Sequence, residues 1–394
     1  MATMTSSRRV VFVALLFSAM GAATLAAPSM GILATFIIDD LSISRTTLGW
    51  IIATNVVLAA VLSPAIGLVT DRIGGKAALI FVFSLSVVAF VVFGIAPALT
   101  WLFIAAALAA VGQAGANPAT NKLIGEDLPP GERGVTTGIK QSGVQAAITA
   151  AGLVLPTLAI AFGWRAAMLA LAVLPLAGAV IAFIVIPASD RSAQSTGAGA
   201  HRLPPSIWWL GAYGLVMGFA GAVTFFIPLF AEESLGLDPR IGGLAITVVG
   251  SVAFAARILW ARYAERRHRY LWSLGVMAML GVIASILLLA STRWIWLLWV
   301  GAVLIGASTS AWNSVGMLTV INEAGAATGR ASGVVLLGFL TGLGVGPPLY
   351  GATVDATGSY AAMWIMSIVA SAAAVALVGV WRGYRDAPTA ATTG

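Results

Sequence analysis

Residues Gly67-Leu68-Val69-Thr70-Asp71-Arg72-Ile73-Gly74-Gly75-Lys76 form a short charged interruption between two apolar runs, Leu48 to Thr70 and Ala77 to Ala96. Each run is about the length needed to cross the ~30 Å hydrocarbon core of a bilayer as a helix, roughly 20 residues. Polar backbone has no partner in lipid. The chain must therefore leave the membrane after Thr70, hold Asp71, Arg72 and Lys76 in water, and turn straight back in.

The same alternation continues in both directions. Charged residues make up 9% of 394 residues, against about 25% in a soluble domain. Hydrophobic residues reach 60% and mean hydropathy is +0.99. Twelve apolar runs are predicted to span a membrane. Six lie in the first half: Val10 to Met30, Leu48 to Thr70, Ala77 to Ala96, Trp101 to Leu123, Val135 to Ala161 and Ala166 to Ile186. Six lie in the second: Ser206 to Phe230, Ile241 to Ala261, Tyr270 to Ala290, Trp294 to Val320, Ser332 to Thr353 and Tyr360 to Trp381. Arg8 and Arg9 ahead of the first run, with Ala26 and Ala27 within it, imitate a signal peptide. The run outlasts a typical h-region and eleven more follow, so it reads as an uncleaved first helix.

Of 21 Lys and Arg residues, four (Arg45, Arg165, Arg240 and Arg293) fall on one side of the membrane and two (Lys140 and Arg257) inside spans. The other fifteen (21 minus 4 minus 2) share the opposite side. Cytoplasmic loops hold the basic excess, so both termini are expected in the cytoplasm of a bacterial cell, the chain being multi-pass in its inner membrane. Loops facing anionic lipid account for the net charge of +7 without any nucleic acid.

The chain also repeats itself. Gly163-Trp-Arg-Ala-Ala-Met168 recurs as Gly358-Ser-Tyr-Ala-Ala-Met363, 195 residues on (358 minus 163). Asp71-Arg72 recurs as Glu265-Arg266, 194 on (265 minus 71). A Ser/Gly/Ala-rich stretch separates six runs from six. The expected organisation is an N-terminal six-helix bundle over residues 1–187, a cytoplasmic linker over 188–205, and a C-terminal six-helix bundle over 206–394.

The opening stretch resembles the G-x-x-x-D-R-x-G-R-R/K loop of the major facilitator superfamily, matching at Gly67, Asp71, Arg72, Gly74 and Lys76 and departing at Gly75. Its second copy, Ala261 to Arg269, is degraded, with Ala261 and His268 replacing glycines. The resemblance implies an all-α membrane protein of twelve helices in two pseudo-symmetric bundles, working as a secondary active transporter by alternating access. It also implies a gating role for Gly67, Asp71, Arg72, Lys76, Glu265 and Arg266. Gly67 would admit a neighbouring helix, Asp71 would sit against a helix N-terminus, and Arg72 would pair across the two halves. Such contacts would form when the cytoplasmic faces meet. Gly138-Ile-Lys140-Gln141-Ser-Gly143, Gly152 to Pro156 and Gly163-Trp164-Arg165 are further similar to bacterial carriers of cyanate and small carboxylates.

Ionisable groups inside a membrane are costly and mark function. Lys140 sits on the polar stripe Gln141, Gln145, Thr149, spaced at i, i+4, i+8, and Arg257 lies near the inner end of the eighth run. In the fold that the resemblance implies, both cations can face one cavity. Snorkelling to the headgroups is the alternative for each, and Arg257 can also pair with Glu265. Gln113, Asn117 and Asn121 form a second amide stripe in the fourth run, and the tenth adds Ser308, Trp312 and Asn313. No Asp or Glu lies well inside a run. The candidate substrate site is therefore Lys140, Gln141, Arg257, Asn117, Gln113, Trp312 and Asn313, expected to hold a small organic anion such as a monocarboxylate.

Extrusion of drugs or lipophilic metabolites coupled to protons is the first alternative, and a sensor that binds without transporting is the second. H+ is a candidate coupling ion, carried on the substrate or on a loop acid. The chain has no cysteine and two histidines, and no nucleophile, base and metal set converges. No enzyme, metal or other cofactor is expected, and the protein is expected to act as a monomer in the bilayer.

Overall fold

The computed structural model describes residues 6–186, 203–324 and 328–386, and over these it is helical throughout, with short turns. The linker expected over 188–205 lies outside the described residues except for 203–205. The first half contains α1 (Ser6–Thr24), α2 (Ala26–Ile32), α3 (Ala34–Leu41), α4 (Arg45–Ile73), α5 (Gly75–Gly94), α6 (Leu99–Asp127), α7 (Pro130–Ala170) and α8 (Val173–Val185). The second half contains α9 (Pro205–Gly221), a 3-10 turn (Ala222–Phe226), α10 (Ile227–Glu233), α11 (Pro239–Arg267), α12 (Tyr270–Ala290), α13 (Leu297–Ala307), α14 (Asn313–Ala324), α15 (Thr328–Thr357) and α16 (Ala361–Asp386).

Among the described residues nine helical stretches are long and apolar enough to cross a membrane, and the α1–α2 pair, bent by 55°, makes a tenth. One of the nine, Val135–Val185, has 51 residues and would reach about 77 Å if straight, more than twice a bilayer core. It reverses at Gly163, whose φ of 82° and ψ of 157° are not helical, and so carries two crossings. The tenth apolar run is divided between α13 and α14 by the turn 308–312. The arrangement is consistent with the twelve expected crossings.

Local sequence sets the helix ends. Ser44 caps α4 by accepting from the Thr47 amide, and Asp238 caps α11 by accepting from the Arg240 amide. The charged loop after α4 turns at Gly74, with φ of 86°. Its degraded copy turns 194 residues later (268 minus 74) at His268, with φ of 50°. A positive φ thus survives where its glycine does not, although ψ is 161° at Gly74 and 36° at His268. Gly163 and Gly358 form a second such pair, with φ of 82° and 64°.

The two halves of the chain touch along α4 with α15 and along α7 with α11. Small residues permit this. A Cβ on Gly351 would strike the backbone of Arg45 and Thr46, and one on Gly49 would strike Pro347. On the other seam, one on Gly243 would strike Gly152 and Pro156, and one on Gly250 would meet Thr149 at 2.6 Å. These approaches lie toward the end of the bundle that bears Arg45. Nearer the Asp71 end, Ser63 of α4 and Leu336 of α15 face a cavity.

Candidate functional site: a central polar cavity

A cavity of about 280 Å³ lies between the halves. From the first half, α6 and α7 bring Gln113, Asn117, Gln141 and Gln145 to its wall. The four-residue spacing stacks each pair of amides on one helix face. The second half contributes Arg257 of α11, Thr309, Ser310 and Trp312 from the break between α13 and α14, and Asn313 beside it. Phe225, Ile246, Phe339 and Leu340 form an apolar flank. No Asp or Glu is among the lining residues.

The cation of the lining is held by backbone. Arg257 donates from Nε and Nη2 to the Ser310 carbonyl at 3.2 and 3.1 Å. The break in the tenth run frees this carbonyl from helical bonding. Glu265 has no bond to Arg257, so the ion pair weighed from the sequence does not form. Trp312 is wedged edge-on between Tyr213 and Phe339, each 5.5 Å away between ring centres. It is 1% exposed, and its indole nitrogen has no hydrogen-bond partner.

Six of the seven expected site residues therefore line one cavity. Lys140 does not. It is fully buried behind the wall, where Nζ donates to Asn121 Oδ1 at 2.6 Å, Thr120 Oγ1 at 2.7 Å and Asn117 Oδ1 at 3.3 Å. Gln141 Nε2 donates to the same Asn117 oxygen at 2.8 Å. The sequence expectation that Lys140 faces the cavity with Arg257 is corrected on this point. Burial of this kind also excludes snorkelling.

The charged loop makes its described contacts within the first half alone. Lys122 Nζ donates to the Asp71 carbonyl at 2.8 Å and lies 3.6 Å from its carboxylate. Asp71 thus faces an ammonium where a helix N-terminus was expected. Lys76 donates to the Phe183 carbonyl at 2.9 Å and rests over that ring. A Cβ on Gly67 would come no closer than 4.0 Å to Pro118. Among the described residues Arg72, Glu265 and Arg266 form no ion pair. Among the described residues no hydrogen bond or ion pair joins the halves at this end.

The opposite end is latched by residues not singled out from the sequence. Arg45 pairs with Glu233 at 2.7 Å and with Asp355 at 3.3 Å, both from the second half. Tyr360 donates to Glu233 at 2.6 Å, and the Thr46 amide donates to Asp355 at 2.8 Å. Arg165 plays the matching part within the first half, pairing with Asp40 at 2.7 Å. Tyr360 follows Arg165 by 195 residues (360 minus 165) and Glu233 follows Asp40 by 193 (233 minus 40). The available signal was the rarity of Arg45 among outer acids.

A helical bundle with a polar cavity between its halves and an ion-pair latch across them at one end defines a multi-pass membrane carrier. The chain belongs to the Major Facilitator Superfamily, whose family model matches residues 10–339. It is a transporter and not an enzyme. It is similar to the hexuronate transporter of Bacillus subtilis (strain 168), 28% identical over 159 residues, which cover 39% of this chain and 37% of that protein. Two crystal structures of a bacterial homologue of the human lysosomal transporter Spinster share the fold. The inward-facing occupied form has a TM-score of 0.76 at 17% identity, and the inward-facing unoccupied form 0.77 at 15%. Each comparison covers 97% of both chains.

Proposed function

We propose that this transporter moves a small organic anion, a monocarboxylate or similar, across a bacterial inner membrane by alternating access. The bundles over 1–187 and 206–394 rock about the central cavity, with both termini cytoplasmic. In that orientation the latched end faces outward and the conformation described is inward-facing.

One observation carries the reading: among the described residues the cavity wall joins five amides and an arginine and holds no carboxylate. A cation entering this low-dielectric space would meet Arg257 without a negative partner, whereas a carboxylate meets a guanidinium and hydrogen-bond donors. The apolar flank suits a carbon skeleton. The similarity to a hexuronate transporter supports the reading, since a hexuronate is a sugar carboxylate.

A thermal-shift screen of the purified protein tests it, with hexuronates, short monocarboxylates and inorganic anions beside lipophilic cations. A ligand at 100 times its Kd adds about 2.7 kcal/mol to stability. Stabilisation by carboxylates is expected. Stabilisation by lipophilic cations alone would contradict it.

A further inference from the structure

The buried ammonium of Lys140 decides which way the amides of the cavity wall face. From this we infer that Lys140 is a positioning residue that makes the wall prefer a carboxylate to its neutral isostere. The inference rests on the anion reading above and assigns its selectivity.

An ammonium carries three N–H donors and no acceptor. Lys140 spends all three on neutral oxygens, those of Asn117, Thr120 and Asn121, and no carboxylate touches it among the described residues. A side-chain amide that meets a pure donor must offer its carbonyl. Asn117 and Asn121 are therefore turned with Oδ1 toward Lys140 and Nδ2 away from it.

For Asn117, away from Lys140 means the cavity, which it lines. Its Nδ2 has no acceptor among the described residues. Because Asn117 Oδ1 also accepts from Gln141, the orientation passes along to a second lining amide. A fixed cation therefore stands one side chain behind the wall, with no counter-charge in contact and a free donor in front of it. In a low-dielectric site such a chain of dipoles strengthens toward an anion and offers a neutral ligand much less. Asn121, one turn further along α6, is exposed and is not part of the cavity wall.

The probe pair is D-glucuronate and D-glucuronamide, which differ only in carboxylate against amide, titrated calorimetrically into purified full-length protein. The wild type is expected to bind the acid at least about tenfold tighter. Lys140→Gln should reduce that ratio to about threefold or less, while Lys140→Arg, which keeps charge and donors, should hold it near the wild-type value. Asn121→Asp covers the case in which Lys140→Gln does not fold. It gives Lys140 a counter-ion outside the cavity, leaves every lining residue in place, and should also collapse the ratio. An Asn121→Asp protein that melts like the wild type and keeps the full ratio would overturn the role of Lys140. A wild type that binds acid and amide equally would instead count against the anion reading itself.

Discussion

Arg45 and Glu233, 188 residues apart in the chain, meet in a two-pronged ion pair, Nε to Oε2 at 2.8 Å and Nη2 to Oε1 at 2.7 Å. Arg45 opens α4 in the first half and Glu233 closes α10 in the second. The ion pairs to Glu233 and to Asp355 that join the halves both run through Arg45. The latch is therefore a property of one conformation, and it must break for that end of the cavity to open.

Replacing Arg45 by Ala should shift the population toward opening at that end. Both partners are partly exposed, so the pair is worth little more than about 1 kcal/mol, or a fewfold change in population. The chain has no cysteine, which leaves maleimide labelling free of background. Ala27→Cys places a thiol on the cavity wall, and an impermeant maleimide added from the Arg45 side should label it faster when Arg45 is Ala.

Glycines on the seam between halves and glycines within a half should respond differently. Gly351 lies against Arg45 across the seam, whereas Gly143 of α7 lies against the Phe17 carbonyl of α1 in the same half. Gly351→Val should keep the melting temperature within a few degrees and increase labelling of Ala27→Cys from the Arg45 side. Gly143→Val should destabilise the fold by about 1–3 kcal/mol, since α1 and α7 have no alternative packing.

The two positive-φ positions offer a stability test. Gly74→Ala should cost about 1 kcal/mol or more at a φ of 86°. His268→Gly should gain up to about 1 kcal/mol at a φ of 50°. Thermal melts of the two variants should move in opposite directions.

Trp312→Phe separates packing from recognition. The indole nitrogen has no partner within the protein, so its loss removes no internal hydrogen bond. Apart from a small packing loss, the ligand-free melting temperature should hold. Affinity for carboxylates should drop about fivefold if the N–H serves the substrate, the equivalent of one ordinary hydrogen bond. Calorimetry of ligand-free and liganded protein distinguishes the two effects.

Much of this was legible in the sequence because membranes impose few solutions. Apolar runs of the required length give the helices, and residues 67–76 and 163–168 with their later copies give the repeat. Amide spacing at i, i+4 placed Gln113 and Asn117 on one face. Periodicity names a face, however, and not the neighbour it meets. Lys140 and Gln141 are adjacent in sequence, yet one lies behind the wall and the other on it. The difference depends on how α7 packs against α6. Arg45 and Glu233 left no local pattern either, since neither lies within a motif and only the closed fold brings them together.

Arg257 provides the most direct test, because among the described residues it is the one cation on the cavity wall. Counterflow of radiolabelled D-glucuronate should be measured in proteoliposomes containing wild-type protein or Arg257→Gln. An anion carrier should show counterflow in the wild type. The variant should show a KM at least about tenfold higher, corresponding to loss of a charge-assisted bond of roughly 1.5–3 kcal/mol. Counterflow of lipophilic cations that is equal in both proteins, with none of glucuronate, would contradict it.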